Sequence, residues 1–252
     1  MSDPHCSFVW YELMTTDTAA AEAFYRAVVG WNTQDSGHPD MRYTLLKAGD
    51  RQIAGLMELP AEAGARPGWT GYIGVGDVDA ATARAAAAGG AVHHAPADIP
   101  NVGRFAMVSD PQGAAFVLFT PNGEVLAPLA PMTPGSVGWH ELHATDWQAA
   151  FGFYAAQFGW TRGDSLDMGP MGIYQLFATG ATPVGGMLNN TALPRPAWLY
   201  YFSVEAIDAA TARIGAHGGQ VLMGPHEVPG GAWIVQAKDP QGAMFALVAP
   251  RR

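Results

Sequence analysis

The chain has 252 residues, 49% hydrophobic and 14% charged, with 13 basic against 22 acidic side chains and a formal charge of −9. That acidic balance disfavours nucleic acid or an anionic membrane as partner. A single cysteine, Cys6, excludes an intrachain disulfide and a cysteine-based zinc motif. With no basic start leading into an apolar run, and no stretch of about 18 apolar residues, neither a signal peptide nor a membrane span is expected, and a cytoplasmic location is.

Phe8 to Thr15 alternates in a way that suits a strand buried on both faces. Asp17 then stands where an N-cap belongs, followed by Ala20, Phe24, Val28 and Trp31 at helical spacing and by Gly30 to end the helix. Tyr43–Ala48 and Gln52–Met57 read as two strands turned by Gly49-Asp50. After Pro60–Pro67 the pattern restarts: Trp69–Val75 as strand, Asp79–Ala88 as helix stopped by Gly89, and Ala91–His94 as a short strand. Pro96–Gly103 is expected to be a loop, as is its counterpart Pro225–Gly231, the two rimming the cavities. Gly103–Ser109 and Ala114–Phe119 are joined by Asp110-Pro111-Gln112-Gly113, which fits a type I turn with Pro second and Gly last. Residues 121–136 hold four prolines and form a semi-rigid linker.

Then the text repeats. A shift of 129 residues carries Trp10-Tyr11-Glu12-Leu13 to Trp139-His140-Glu141-Leu142, Asp17 to Asp146, Phe24-Tyr25 to Phe153-Tyr154, Gly30-Trp31 to Gly159-Trp160, and Asp110–Gly113 to Asp239–Gly242. The register slips by two residues where Gly55 answers Gly186. This period exceeds the roughly 20–50 residues of solenoids and propellers and matches a domain. The expected organisation is a first domain over 1–120, the linker 121–136 and a second domain over 137–252.

The capped Phe-Tyr helix ending in Gly-Trp and the late Asp-Pro-Gln-Gly hairpin, each present twice, resemble the vicinal-oxygen-chelate superfamily of glyoxalase I, bleomycin-resistance proteins and extradiol dioxygenases. The resemblance implies an α+β fold of tandem βαβββ modules, two modules per domain, forming curled mixed sheets around a cup-shaped cavity. It also implies a divalent metal held in that cup by the family's enzymes. Their ligand positions fall here on Trp10 and Trp139, on Thr70 and Leu199, and on Val117 and Ala246. Divalent transition metals take imidazole, carboxylate or thiolate donors, commonly three from the protein. No metal is therefore expected at the usual positions. A divalent metal elsewhere is left open, with Glu141 and His143 as its donors.

Glu12 and Glu141 lie two residues past the vacated ligand position, on the same strand face, and His143 two residues further in the second copy. These three are the candidate catalytic residues; the alternative is that the glutamates bind backbone amides or an arginine and orient the fold. Trp10 and Trp139 are candidate walls for a planar ligand, and Arg104 and Trp233 candidate pocket-edge residues. His93, His94 and His226 have no histidine counterpart in the other copy and are expected at the surface. Two functions follow: binding of a small apolar or aromatic molecule, or a glyoxalase-like lyase or isomerase using Glu12, Glu141 and His143. The partner expected is a small molecule, the protein being a monomer or homodimer.

Overall fold

The computed structural model describes residues 6–38, 42–59, 66–123, 127, 129–190 and 193–252. The first copy runs β1 (Phe8–Thr15), α1 (Thr18–Val28), β2 (Asn32–Asp35), β3 (Tyr43–Ala48), β4 (Arg51–Glu58), β5 (Gly68–Gly74), α2 (Val78–Ala87), β6 (Ala91–Ile99), β7 (Gly103–Ser109) and β8 (Ala115–Pro121). The second runs β9 (Val137–Ala144), α3 (Trp147–Phe158), β10 (Thr161–Asp167), β11 (Ile173–Ala178), β12 (Pro183–Asn189), β13 (Ala197–Ser203), α4 (Ile207–Ala216), β14 (Gln220–Glu227), β15 (Trp233–Lys238) and β16 (Met244–Ala249). Each copy is therefore two βαβββ modules. The strand orders are β2-β3-β4-β1-β5-β8-β7-β6 and β10-β11-β12-β9-β13-β16-β15-β14. Among the described residues, no helix is long and apolar enough to cross a membrane.

Local chemistry sets the elements. The Asp17 carboxylate accepts from Ala20 N, and Asp146 from Gln148 and Ala149 N, satisfying orphan amides of the first turn. Helix α2 is capped by Asp77, which puts its start one residue ahead of the expected Asp79. Gly113 sits at φ 98° and its N–H closes the turn on Asp110 O at 3.0 Å, so glycine is required there.

One expectation fails. Pro96 and Pro225 do not open loops; they lie inside β6 and β14. Both strands are last in their sheets and both carry register shifts, which are the places where a sheet tolerates a residue with no N–H to donate. The strands β2 and β10, which carry few apolar residues, complete each first module.

Packing divides the chain into two compact units. One gathers Trp10–Trp69, Leu129–Trp139 and Leu199–Arg252; the other gathers Met1–Val9, Thr70–Pro128 and His140–Trp198. The core of the first is aromatic: Tyr25 lies among Trp31, Trp69, Phe202 and Phe245, with ring centroids 5.2–6.2 Å apart. Its polar tip is satisfied, because Trp69 Nε1 donates to Tyr25 Oη at 2.8 Å and Tyr25 donates to Asp239 Oδ2 at 3.1 Å. The second unit repeats this arrangement: Trp198 Nε1 donates to Tyr154 Oη at 2.9 Å, and Tyr154 donates to Asp110 Oδ2 at 3.2 Å. The tyrosine of each Phe-Tyr motif thus bonds the hairpin aspartate of the other copy. Burial raises both aspartates above the ordinary carboxylate range against the pull of the backbone amides they accept.

Candidate functional site

Strand β1 presents Glu12 beside Gly55 of β4, and β9 presents Glu141 beside Gly186 of β12. Both glutamates are buried. Each is met by a tyrosine from the strand beyond. Tyr43 of β3 donates its hydroxyl to Glu12 Oε2 at 3.0 Å, and Tyr174 of β11 donates to Glu141 Oε2 at 2.9 Å. To get there each ring crosses the middle strand over a glycine: a Cβ at Gly55 would collide with the Tyr43 ring and hydroxyl, and one at Gly186 with the Tyr174 ring. These tyrosines were missed in the sequence reading. They follow the same two-residue slip as Gly55 and Gly186, which is the signal that could have found them.

In the first copy Trp10 Nε1 donates to Tyr43 Oη at 3.1 Å, making a chain from indole to phenol to carboxylate. Burial, and then the Glu12 carboxylate, push the Tyr43 hydroxyl far above the ordinary tyrosine range, so it remains a donor. In the second copy the chain continues past the carboxylate. His143 Nε2 stands 2.8 Å from Glu141 Oε1, within ion-pair reach but without a hydrogen bond among the described residues. Asn190 Nδ2 lies 2.7 Å from His143 Nδ1. Glu141 and His143 are thus brought together, and Tyr174 and Asn190 flank them.

The remaining candidates have partners of their own. Arg104 is held by Asp79, at 2.6 and 2.9 Å, and by Asp98 at 2.9 Å, so its guanidinium is already engaged by carboxylates. Trp233 is partly buried under the Arg252 guanidinium, 4.8 Å from its ring centroid. His140 packs against Phe8 with centroids 4.3 Å apart, is bonded through Nδ1 to Val184 O at 2.8 Å, and is pushed by burial down to about 4. His93, His94 and His226 are exposed on β6 and β14.

Trp139 belongs to an apolar cluster in the first unit described. Leu199 and Tyr201 of β13 and Ala246 and Val248 of β16 form its buried centre, with Trp139, Met132, Ile234 and Met244 partly buried against it. Gln236 donates to Tyr201 Oη at 2.8 Å, a polar mark on an otherwise apolar cluster.

A family model described as Glyoxalase/Bleomycin resistance protein/Dioxygenase superfamily matches residues 7–118 and again 136–247. The chain belongs to this superfamily. Among curated superfamily relatives, it is 33% identical to "Putative glyoxylase CFP32" of Mycobacterium tuberculosis over 249 residues, covering 96% of this chain and 94% of that protein. It is likewise 33% identical over 259 residues to the "Anthracycline biosynthesis protein DnrV" of Streptomyces peucetius, covering 96% and 92%. The Mn(II)-bound glyoxalase from Novosphingobium aromaticivorans superposes with a TM-score of 0.68 at 17% identity, over 98% of this chain and 82% of that one. Homoprotocatechuate 2,3-dioxygenase from Arthrobacter globiformis gives 0.68 at 16% identity, over 99% and 82%. At those identities the superpositions establish the superfamily fold and nothing finer.

The superfamily's metal positions can be tested against the side chains. In the second copy they fall on Trp139, Leu199 and Ala246, which pack together in the apolar cluster. They converge, as a ligand set must, but carry no donor atom that a divalent metal would take. Trp10, Thr70 and Val117 of the first copy offer only one hydroxyl among them. Among the described residues no three His, Cys, Asp or Glu side chains gather in a group able to hold a metal ion. Glu141 and His143 supply two donors, one short of the usual protein complement. The residues present do not fit the superfamily's metal.

Proposed function

We propose that this chain is a small-molecule-binding member of the superfamily, in which the second copy's metal position has become an apolar seat for an apolar or aromatic ligand. The observation that carries the reading is the convergence of Trp139, Leu199 and Ala246 into one cluster, with Tyr201 and Gln236 as its polar marks. Small-molecule sites have this composition: aromatic and aliphatic walls with a few placed polar groups. The partly buried Trp139, Met132 and Met244 supply a flat wall and adaptable lining. The relative named for anthracycline biosynthesis makes a planar polycyclic compound the first choice of probe.

The test is titration of the protein with 1,8-dihydroxyanthraquinone, followed by calorimetry. Burying one large side chain is worth about 1.5–3 kcal/mol, so Trp139→Ala should weaken binding roughly 10- to 100-fold. Trp233→Ala, which removes a ring already covered by Arg252, should have a smaller effect. Binding that survives Trp139→Ala unchanged would remove the apolar seat from the account.

A further inference from the structure

A cavity of about 330 Å³ lies within the first packed unit described, and none of the apolar-seat residues lines it. Its walls come from Val29 and Gly30 at the end of α1, Gly49 in the turn between β3 and β4, and Ala206, Ala209 and Arg213. The last three, spaced three and four residues apart, share one face of α4 and its N-cap. Ligand pockets run from about 300 to 1,000 Å³, so this one suits a small molecule. Arg213 Nη2 donates to Val28 O at 3.1 Å, which pins the guanidinium at the cavity wall. Its Nε is buried and has no hydrogen-bond partner among the described residues. A buried N–H without an acceptor is rare, and leaving one on a charged group is costly. Among the described lining residues Arg213 is the one cation, and Glu205, which is exposed, the one acid.

The other copy arranges its counterpart residues differently. The shift of 129 residues pairs Val29 with Phe158, Ala206 with Asp77, Ala209 with Ala80 and Arg213 with Arg84. Phe158 is buried and Arg84 is exposed. Asp77 caps α2, its carboxylate accepting from Ala80 N at 2.9 Å. Ala206 holds the same extended backbone, φ −144° and ψ 129° against −148° and 108° at Asp77, but brings no side-chain acceptor. Of the first-turn amides, Ile207 N is taken by Arg251 O at 3.0 Å. Helix α4 thus keeps the backbone of a carboxylate cap without the carboxylate, and carries a cavity and a fixed guanidinium on the same face.

We propose that this cavity binds a short-chain organic carboxylate. Its oxygens accept from Arg213 Nε and from the Ala209 amide, in the role that the Asp77 carboxylate plays for Ala80 in α2. A guanidinium matches a carboxylate in charge and in planar geometry, and a helix N-terminus favours the same charge. One arginine opposed by one acid, Glu205, suits a singly charged anion and disfavours a phosphate dianion. Val29, Ala48 and Pro134 offer apolar surface to a body of a few carbons. The proposal does not rest on the apolar seat, which concerns other residues.

The experiment is titration of 15N-labelled protein with sodium butyrate, against sodium chloride at matched ionic strength, followed by NMR. The Ala209 amide and the Arg213 Nε–H should shift together and saturate. Arg213→Gln, which keeps a donor for Val28 O, should weaken binding about tenfold or more. Ala206→Asp separates binding from stability, because it supplies the carboxylate from the chain itself. It should raise the Tm by about 2–4 °C and lose butyrate binding. Shifts that do not saturate or that chloride reproduces, binding unchanged in Arg213→Gln or in Ala206→Asp, or inorganic phosphate binding more tightly than butyrate would each overturn the proposal.

Discussion

Replacing glycine by alanine at two places should give opposite signs. At Gly186 an added Cβ would collide with the hydroxyl end of the Tyr174 ring where it crosses β12, and the ring is held by its bond to Glu141. Either the strands part or the ring leaves, and leaving forfeits a hydrogen bond to a charged acceptor, worth about 1.5–3 kcal/mol, together with part of the ring's burial. The expected cost is about 3 kcal/mol, in the range for buried strain and lost hydrogen bonds. Gly215 lies within α4 with open space where its Cβ would be. There alanine should stabilise by about 0.5–1 kcal/mol, because it removes only unfolded-chain freedom and improves helix propensity. Urea unfolding of both variants measures the contrast. Truncating the obstacle with Tyr174→Ala should largely cancel the penalty of Gly186→Ala in a double-mutant cycle. A Gly186→Ala variant within about 0.5 kcal/mol of wild type, the ordinary surface value, would refute the crossing.

His140 is neutral in the fold and pushed down to about 4 by burial, against about 6.5 in an unfolded chain. A depressed base contributes stability that is complete above pH 6.5 and lost as pH falls toward 4. That loss is about 3 kcal/mol at 1.36 kcal/mol per unit. Asp110 and Asp239, raised by burial, act in the opposite sense toward the acid end. The slope should therefore be read as the difference between wild type and His140→Gln, and equal slopes would contradict the assignment. Asp239→Ala removes the acceptor of Gln241 N, Ala243 N and the Tyr25 hydroxyl, and should cost about 3 kcal/mol by thermal unfolding. Gln112 accepts from Thr145 and Asp146 N and donates to Asp146 O, whereas the buried Oε1 of its counterpart Gln241 has no partner. Gln112→Ala should thus cost about 1–2 kcal/mol more than Gln241→Ala, and equal costs would show that the bridge contributes nothing.

What the sequence disclosed was whatever depends on one strand or one turn. The Asp17 and Asp146 caps, the Asp-Pro-Gln-Gly hairpins and the modules of strand, helix and strands are local, and the repeat doubled each signal. What it concealed was partnership. Nothing in the spacing of Phe24-Tyr25 says that Tyr25 bonds Asp239, 214 residues away, and not the aspartate of its own copy. Tyr43 and Tyr174 read as ordinary strand aromatics until strand order brings them across Gly55 and Gly186 to the glutamates. Asn190 carried no motif, and its meaning appears only through His143. Pro96 and Pro225 misled because a proline forbids a central strand but is permitted at a bulged edge, and edge position is a property of the sheet. That the resemblance's metal positions hold Trp139, Leu199 and Ala246 was visible in the sequence. Their convergence into one apolar cluster was not.

The claim that this cluster seats a ligand where relatives place a metal has one direct test. A crystal structure of the chain, purified without chelator and soaked with 1,8-dihydroxyanthraquinone, should show the ring system against Trp139, Leu199 and Ala246 with no anomalous scatterer among them. A transition-metal peak at those three residues, or the compound bound elsewhere with the cluster closed, would contradict it.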